Sequence, residues 1–381
     1  MDDVYTRLAR KLDRLPHGFP PSPSGVELRI LRKLFSPLDA AWALQIKPFP
    51  ETAGTVAHRL GQPLAEVQSR LDDMAARGLI GAFRQDGTLC YALVPFVIGI
   101  YEFQVGRLDR ELAGMVEEYF PTLMQELGGR QPALARVIPV GRHIEARAQV
   151  LPYDDLRAAI DRAGAFRVSP CICREEQALL GHPCHHPAET CMSMAKEPDA
   201  YRDVPSWGRV ISREEAHAVL DLAEREGLVH CTYNAQGDPF FVCNCCSCCC
   251  GFLRGVREFA APQMLVRSNY AARIAPEACS GCGLCATERC PMSAIAENGE
   301  FYAVNTDRCI GCGVCAITCP SEAIELVPRP QADRSIPPSS IVHWSVARIT
   351  RRDGRARGVA VAAWVAWQAA RMKIRHWRSA S

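Results

Sequence analysis

The strongest constraint on how this chain folds is a pair of cysteine runs near its end. Cys279, Cys282 and Cys285 stand at C-x-x-C-x-x-C spacing and are followed by Cys290 and Pro291. Cys309, Cys312 and Cys315 repeat the spacing and are followed by Cys319 and Pro320. Three thiolates on one tight loop can hold three corners of an iron–sulfur cube, and the fourth ligand must arrive from elsewhere in the chain. Gly281, Gly283, Gly311 and Gly313 sit between these cysteines. A loop wrapped around a cube needs backbone N–H groups aimed at sulfur and some positive φ values, which glycine adopts at little cost.

Residues 274–327, which contain both runs, resemble the bacterial two-[4Fe-4S] ferredoxin family. The resemblance implies a crossed ligand set, because in that family the last cysteine of each run serves the other cluster. One cluster is then expected on Cys279, Cys282, Cys285 and Cys319, and the second on Cys309, Cys312, Cys315 and Cys290. The alternative is a pair of zinc ribbons, but zinc sites use paired C-x₂₋₄-C motifs rather than triple runs with a trailing Cys-Pro. One departure stands out. Four residues, Ala286 to Arg289, separate Cys285 from Cys290, where the second run has three.

Nineteen of the chain's 20 cysteines lie between Cys171 and Cys319. The start shows no charged n-region with an apolar h-region, and no apolar run reaches the ~18 residues of a bilayer span. Cysteine clusters in a reducing compartment read as metal sites, so a cytoplasmic location is expected, with membrane association at the inner face as an option. A chain of 381 residues is long enough for several cores. The fold class expected is α+β. It comprises an N-terminal helix and linker (1–25), a winged-helix-like helical domain (26–129), a Cys-rich α/β module (130–270), a dicluster ferredoxin domain (271–327) and a basic, Trp-rich tail (328–381).

In the first third, helical periodicity covers 2–15, 26–35, 40–46, 52–60 and 64–77, and two strands flank the Gln85-Asp86-Gly87 turn. Helices followed by a hairpin suggest a winged helix, yet the candidate reading helix carries Glu66, Asp72 and Asp73 against Arg70 and Arg77. That balance lacks the basic footprint of a groove-binding helix, so nucleic acid is not the expected partner. Cys90 reads as a small core residue. A further helix is expected over 107–127, with a boundary at Gly128, Gly129 and Pro132.

The middle module predicts strand over 137–150, helix over 153–163 and helix over 213–226, the last opened by a Ser212/Glu215 capping box. A hairpin is expected from 228–233 and 240–242. Cys171, Cys173, Cys184 and Cys191 form one group, with His182, His185 and His186 nearby. Cys245, Cys246, Cys248, Cys249 and Cys250 form another, inside a segment holding six cysteines in eight residues. Consecutive strand cysteines point to opposite faces, so an inert core cannot hide them all. These nine thiols are expected to hold one or two further [4Fe-4S] clusters, with a structural zinc on Cys and His of the 182–191 loop as the alternative. The overall plan is similar to larger ferredoxin-type proteins with a helical front domain and an extra Cys-rich module, which implies electron carriage.

Charge is unevenly spread. Residues 275–327 carry seven acidic and two basic side chains, whereas 328–381 carry eleven basic and two acidic. Residues 328–340 read as a linker. Beyond them an arginine-rich segment flanks the apolar stretch 359–370, and Trp344, Trp364, Trp367 and Trp377 lie here. This tail is expected to meet a membrane surface or a protein face. No dinucleotide fingerprint, P-loop or nucleophile elbow is present. The function expected is single-electron transfer with a partner oxidoreductase. The alternatives are a redox-sensing winged-helix regulator, and an oxidoreductase subunit whose middle module holds a substrate-binding cluster.

Overall fold

The computed structural model describes residues 3–141, 144, 152–205, 208–259, 261 and 263–363. The chain is mixed α+β. It begins with α1 (Val4–Asp13), α2 (Val26–Leu34), α3 (Pro37–Ala43), the two-residue strand β1 (Glu51–Thr52), α4 (Ala53–Leu60) and α5 (Leu64–Ala76). Side-chain caps account for several starts: Asp3, Ser36 and Thr52 each accept a backbone N–H of the first turn. A hairpin of β2 (Gly81–Gln85) and β3 (Thr88–Ala92) follows, and β1 pairs with β3 to make a three-stranded sheet. The cations of α5 are engaged within the protein. Arg77 binds the buried Asp39 through two bonds of 3.0 and 2.8 Å and also contacts Asp73, and Arg70 lies 3.5 Å from Asp39. Cys90 is buried, as expected of a core thiol.

Helix α6 (Arg110–Gly129) runs through the expected boundary at Gly128 and Gly129. One apolar cluster extends from Leu8 in α1 to Trp344 near the chain's end, so the core does not break there. Gly128 is retained inside the helix for packing, since a Cβ there would lie 3.0 Å from the Cβ of Ala261.

The middle of the chain builds a seven-stranded sheet. Its strands are β4 (Ala135–Ile138), β5 (Ala165–Pro170), β6 (Glu189–Ala195), β7 (Arg209–Ile211), β8 (Val229–Tyr233), β9 (Phe241–Cys245) and β10 (Leu265–Val266), in the spatial order β10-β4-β8-β9-β6-β5-β7. Only the β10–β4 pair is parallel. The module is therefore α+β and not the α/β expected, because its sheet is almost wholly antiparallel even though helices lie between most successive strands. Strand β4 ends at Ile138, and most of the expected strand 137–150 lies outside the described residues.

Helices α7 (Leu156–Arg162) and α9 (Arg213–Arg225) cover one face of the sheet, burying Ile160, Val168, Met192, Leu220 and Val242. The predicted Ser212/Glu215 capping box starts α9. The opposite face belongs to the main core, where Cys231, Tyr233, Phe241 and Cys245 pack with α6 and with α10 (Gly251–Arg257). Helix α8 (Ile172–Leu179) lies between β5 and β6 in the chain.

The last part contains β11 (Tyr270–Ile274), β12 (Ile295–Asn298), β13 (Phe301–Val304), the short α11 (Val314–Ile317) and β14 (Ile324–Pro328). Strands β11 and β14 pair antiparallel, as do β12 and β13. The expected linker starts later than the sequence suggested, because Pro328 completes β14 and Arg329 is buried. Arg329 donates to the carbonyls of Ser268, Thr306 and Cys309, which ties the segment between β10 and β11 to the loop after β13.

Helix α12 (Ile341–Asp353) docks on this chain's own amino-terminal and β4 regions. Trp344 is fully buried and its Nε1 donates to Ala133 O at 2.8 Å. Arg348, 1% exposed, donates to the carbonyls of Pro16, Arg130 and Pro132. Trp364, Trp367 and Trp377 lie outside the described residues. Among the described residues no helix is long and apolar enough to cross a membrane.

Candidate metal centres

The two cysteine runs each wind into a loop whose glycines take left-handed backbone. Gly281, Gly283, Gly311 and Gly313 have φ of 65°, 77°, 68° and 83°. Gly311 is the most constrained: a Cβ there would meet Tyr270 O at 2.1 Å and Ser268 Oγ at 2.2 Å. Cys279, Cys282, Cys285 and Cys319 line one small cavity. Cys290, Cys309, Cys312 and Cys315 line a second of similar size. The rest of each lining is largely apolar, including Ile274, Leu284, Ile324 and Tyr302 in the first and Ala272, Ile295, Val304 and Val314 in the second. No carboxylate or imidazole enters either lining. Four soft donors around a largely apolar cavity suit an iron–sulfur group, and each set combines three thiols of one run with the trailing thiol of the other.

The extra residue of the first run is absorbed by one wide turn. Residues Cys285–Arg289 form a single π-turn, in which Cys290 N donates to Cys285 O at 3.0 Å. The corresponding stretch of the second run is α11, where Cys319 N donates to Ala316 O at 3.3 Å. A π-turn accommodates one added residue without redirecting the chain beyond it. The sulfurs of Cys290 and Cys319 consequently occupy equivalent settings: Ala294 N donates to one at 3.1 Å and Ala323 N to the other at 3.3 Å.

The two sites differ in depth. In the first, Cys282 is exposed and Cys279 and Cys319 half-buried; in the second, Cys309, Cys312 and Cys315 are all buried. Burial pushes the Cys315 thiol well above its ordinary range, and the neighbouring thiols of Cys312, Cys309, Cys290 and Cys285 add to the rise. Cys312 is raised first by burial and then by Cys309, Cys290 and Cys231. Cys285 is raised by burial and by Cys279 and Cys282. Thiols this crowded resist ionising together unless a cation neutralises them. The charge of Cys285 also bears on Cys315, and that of Cys231 on β8 on Cys312.

In the middle module the sequence groups interleave. The period of two along β6, β8 and β9 sends Cys191, Cys231, Cys243 and Cys245 to one face. Registers place Cys231 opposite Cys243 and Ser169 opposite Cys191. Cys171 caps α8, Cys173 lies in its first turn, and Cys250 caps α10. Cys171, Cys173, Cys191, Cys243, Cys245 and Cys250 together border a cavity far larger than the other two, whose walls are mostly apolar and aromatic, with Phe83, Tyr101, Phe120, Met194 and Phe240 among them. Neighbouring thiols pull Cys243 down to about 5 while Cys191 and Cys245 are pushed up, the pattern of sulfurs sharing protons.

Cys184, Cys246, Cys248 and Cys249 come together elsewhere, with all four sulfurs within 4.8 Å of one another. Cys184 thus leaves the group in which its spacing placed it. Cys231 and Cys243 join the sheet-face thiols, although cysteine spacing alone assigns them to neither group; the hairpin register is the signal that could have found them. His185 and His186 stack with ring centroids 4.1 Å apart, and His186 Nδ1 lies 3.8 Å from Glu226. The four-sulfur set includes no histidine.

Residues 271–325 match the family model described as a 4Fe-4S dicluster domain. This part of the chain is therefore an iron–sulfur, ferredoxin-like domain. No match was found among curated proteins or among solved structures.

Proposed function

We propose that this chain is an electron-transfer protein that holds two [4Fe-4S] clusters in its ferredoxin-like domain and exchanges single electrons with a partner oxidoreductase. The observation that carries the reading is the convergence of Cys279, Cys282, Cys285 and Cys319 on one cavity, and of Cys290, Cys309, Cys312 and Cys315 on the other. Clusters bound there would supply reversible one-electron chemistry. The residues of the chain set the conditions. Ala294 and Ala323 N–H groups donate to sulfur, apolar side chains line both sites, and the half-exposed first set offers the entry point.

The test is the crossed ligand set. Full-length protein purified without oxygen is expected to hold at least eight irons and eight sulfides, with two interacting signals in the EPR spectrum of the reduced form. Cys279→Ala and Cys319→Ala should perturb the same signal, and Cys309→Ala and Cys290→Ala the other. If Cys319→Ala instead grouped with Cys309→Ala, each run would serve its own cluster and the assignment would fail.

A second reading is favoured by the large apolar cavity beside Cys171, Cys173, Cys191 and Cys243, which suits an oxidoreductase subunit acting on an apolar substrate. Binding of apolar organic probes that shifts the spectrum of the reduced protein would support it. Unchanged spectra at saturation would leave electron carriage alone. A regulator that reads DNA has less support, since Arg70 of α5 and Arg77 at its C-cap are engaged by Asp39. The location proposed is cytoplasmic, with the part of the basic tail beyond α12 serving membrane or protein docking.

A further inference from the structure

The thiols of Cys184, Cys246, Cys248 and Cys249 are too close together to frame a cube. Cys184 Sγ lies 3.8 Å from Cys246 Sγ and 3.5 Å from Cys248 Sγ, and Cys249 Sγ lies 3.7 Å from Cys248 Sγ. A tetrahedron of sulfurs around one ion, with metal–sulfur bonds of about 2.3 Å, has edges of about 3.8 Å. In a cube each thiolate binds a different iron and projects away from the centre, so the sulfurs stand further apart. The ferredoxin-like sets provide the comparison within the same chain. Among the described residues, the middle-module four are the one group of three or more candidate ligands whose donor atoms all fall within 4.8 Å.

The local structure has the features of a closed structural site. Cys246, Cys248 and Cys249 lie on one tight turn after β9, closed by Cys250 N donating to Cys246 O at 3.2 Å. Cys184 arrives from the loop 182–188, which has no helix or strand of its own. Cys246 and Cys249 are buried against Ala223 and Leu228, while Cys248 forms the exposed rim. Four thiolates on a dication leave a surplus negative charge. Buried Arg174 lies on that side, fixing the same loop through Pro187 O at 2.6 Å and the end of β9 through Asn244 O at 2.9 Å.

We propose that Cys184, Cys246, Cys248 and Cys249 bind a single tetrahedral metal ion, zinc, which pins loop 182–188 to the turn that ends β9. Four protein thiolates leave no open position, as in structural zinc sites. The ion thereby fixes the backbone that carries Cys243, Cys245 and Cys250 to the large cavity. The site is independent of the ferredoxin-like clusters and would stand even if these were absent.

Metal analysis and zinc-edge X-ray absorption of the full-length protein, purified without oxygen, test the proposal. About one zinc per chain, in a shell of four sulfurs at about 2.3 Å with no metal neighbour, is the expected result. Cys184→Ser and Cys248→Ser should each lose that zinc, leave the iron and sulfide counts unchanged, and open loop 182–188 to proteolysis. One iron in the same four-sulfur shell, unmatched by sulfide, would overturn zinc as the metal and keep only the single-ion geometry. Loss of iron and sulfide together in these variants would overturn it and return the four thiols to a cluster. Zinc retained in both variants, or bound through nitrogen, would overturn it too. The absorption measurement needs no variant, so a misfolded mutant does not weaken the test.

Discussion

His17 is a buried residue whose titration bears on stability. Its Nε2 lies 2.5 Å from the Tyr233 hydroxyl, and its ring packs 5.1 Å from that of Trp344. Burial, reinforced by the nearby Arg348 charge, pulls its pKa down to about 3. A depressed histidine binds its proton more readily in the unfolded chain than in the folded one. Its contribution is therefore complete above the unfolded pKa of ~6.5 and is lost as pH falls from there toward the folded value. His17→Gln keeps much of the volume and removes the titration. Denaturant melts at pH 7.5 and 5 should show wild type losing stability on acidification and the variant losing measurably less; equal losses would mean His17 is not the group that titrates. At this scale the sequence was partly legible. The runs named the thiols of the ferredoxin-like domain, because spacing within one loop nearly determines geometry. The partition of the middle thiols was not legible, because Cys184 and Cys246 are brought together only by the path of a loop after α8 and a turn after β9.

Among the elements, the two cysteine loops share a spacing pattern and differ in surroundings, which predicts unequal responses to one substitution. Alanine at Gly311 would need positive φ and would drive its Cβ into Tyr270 O and Ser268 Oγ. Alanine at Gly281 meets only Glu300 O, at 3.1 Å. Backbone strain alone costs ~1 to 2 kcal/mol at such a position, and the backbone clash at Gly311 adds to it. Gly311→Ala should therefore reduce iron content at the second site, while Gly281→Ala is largely loaded; the reverse order would contradict the packing. The glycines themselves were legible from the cysteine spacing. The π-turn at Cys285–Arg289 was visible only as an added residue, since the sequence could not say whether it would bulge or widen the turn.

Helix α12 was the least legible element. Trp344 and Arg348 share a face, yet an arginine-rich helix reads as a solvated or docking surface until its partners are known. Those partners are bare carbonyls of Pro16, Arg130 and Pro132, which no local pattern marks. Trp344→Ala removes a fully buried indole and its bond to Ala133 O, and should cost about 3 to 5 kcal/mol, read as a fall in the denaturant midpoint. A variant within about 1 kcal/mol of wild type would mean that the helix is only loosely held.

Across the whole molecule, charge separates from the thiols in a way that bears on partner choice. Glu277, Glu288, Glu297, Glu300 and Glu322 are exposed on the ferredoxin-like domain, while the cations of α12 that are nearest the core are tied to backbone carbonyls. The exposed first site, where Cys282 reaches the surface, thus lies in a domain with a net acidic face. Low-dielectric walls and like-signed charge concentrate the field at such a site and draw cationic partners to it. Screening over ~8 Å at physiological ionic strength weakens that attraction. Oxidation of the reduced protein by a cationic electron acceptor should therefore slow as salt rises, and oxidation by an anionic acceptor should quicken. Replacing Glu277, Glu300 and Glu322 together by lysine should reverse both slopes while iron content stays unchanged, as stopped-flow absorbance at several salt concentrations would record. Slopes that persist in the triple variant would place electron exit away from the Cys282 surface, at the middle module, where the large cavity offers the other route.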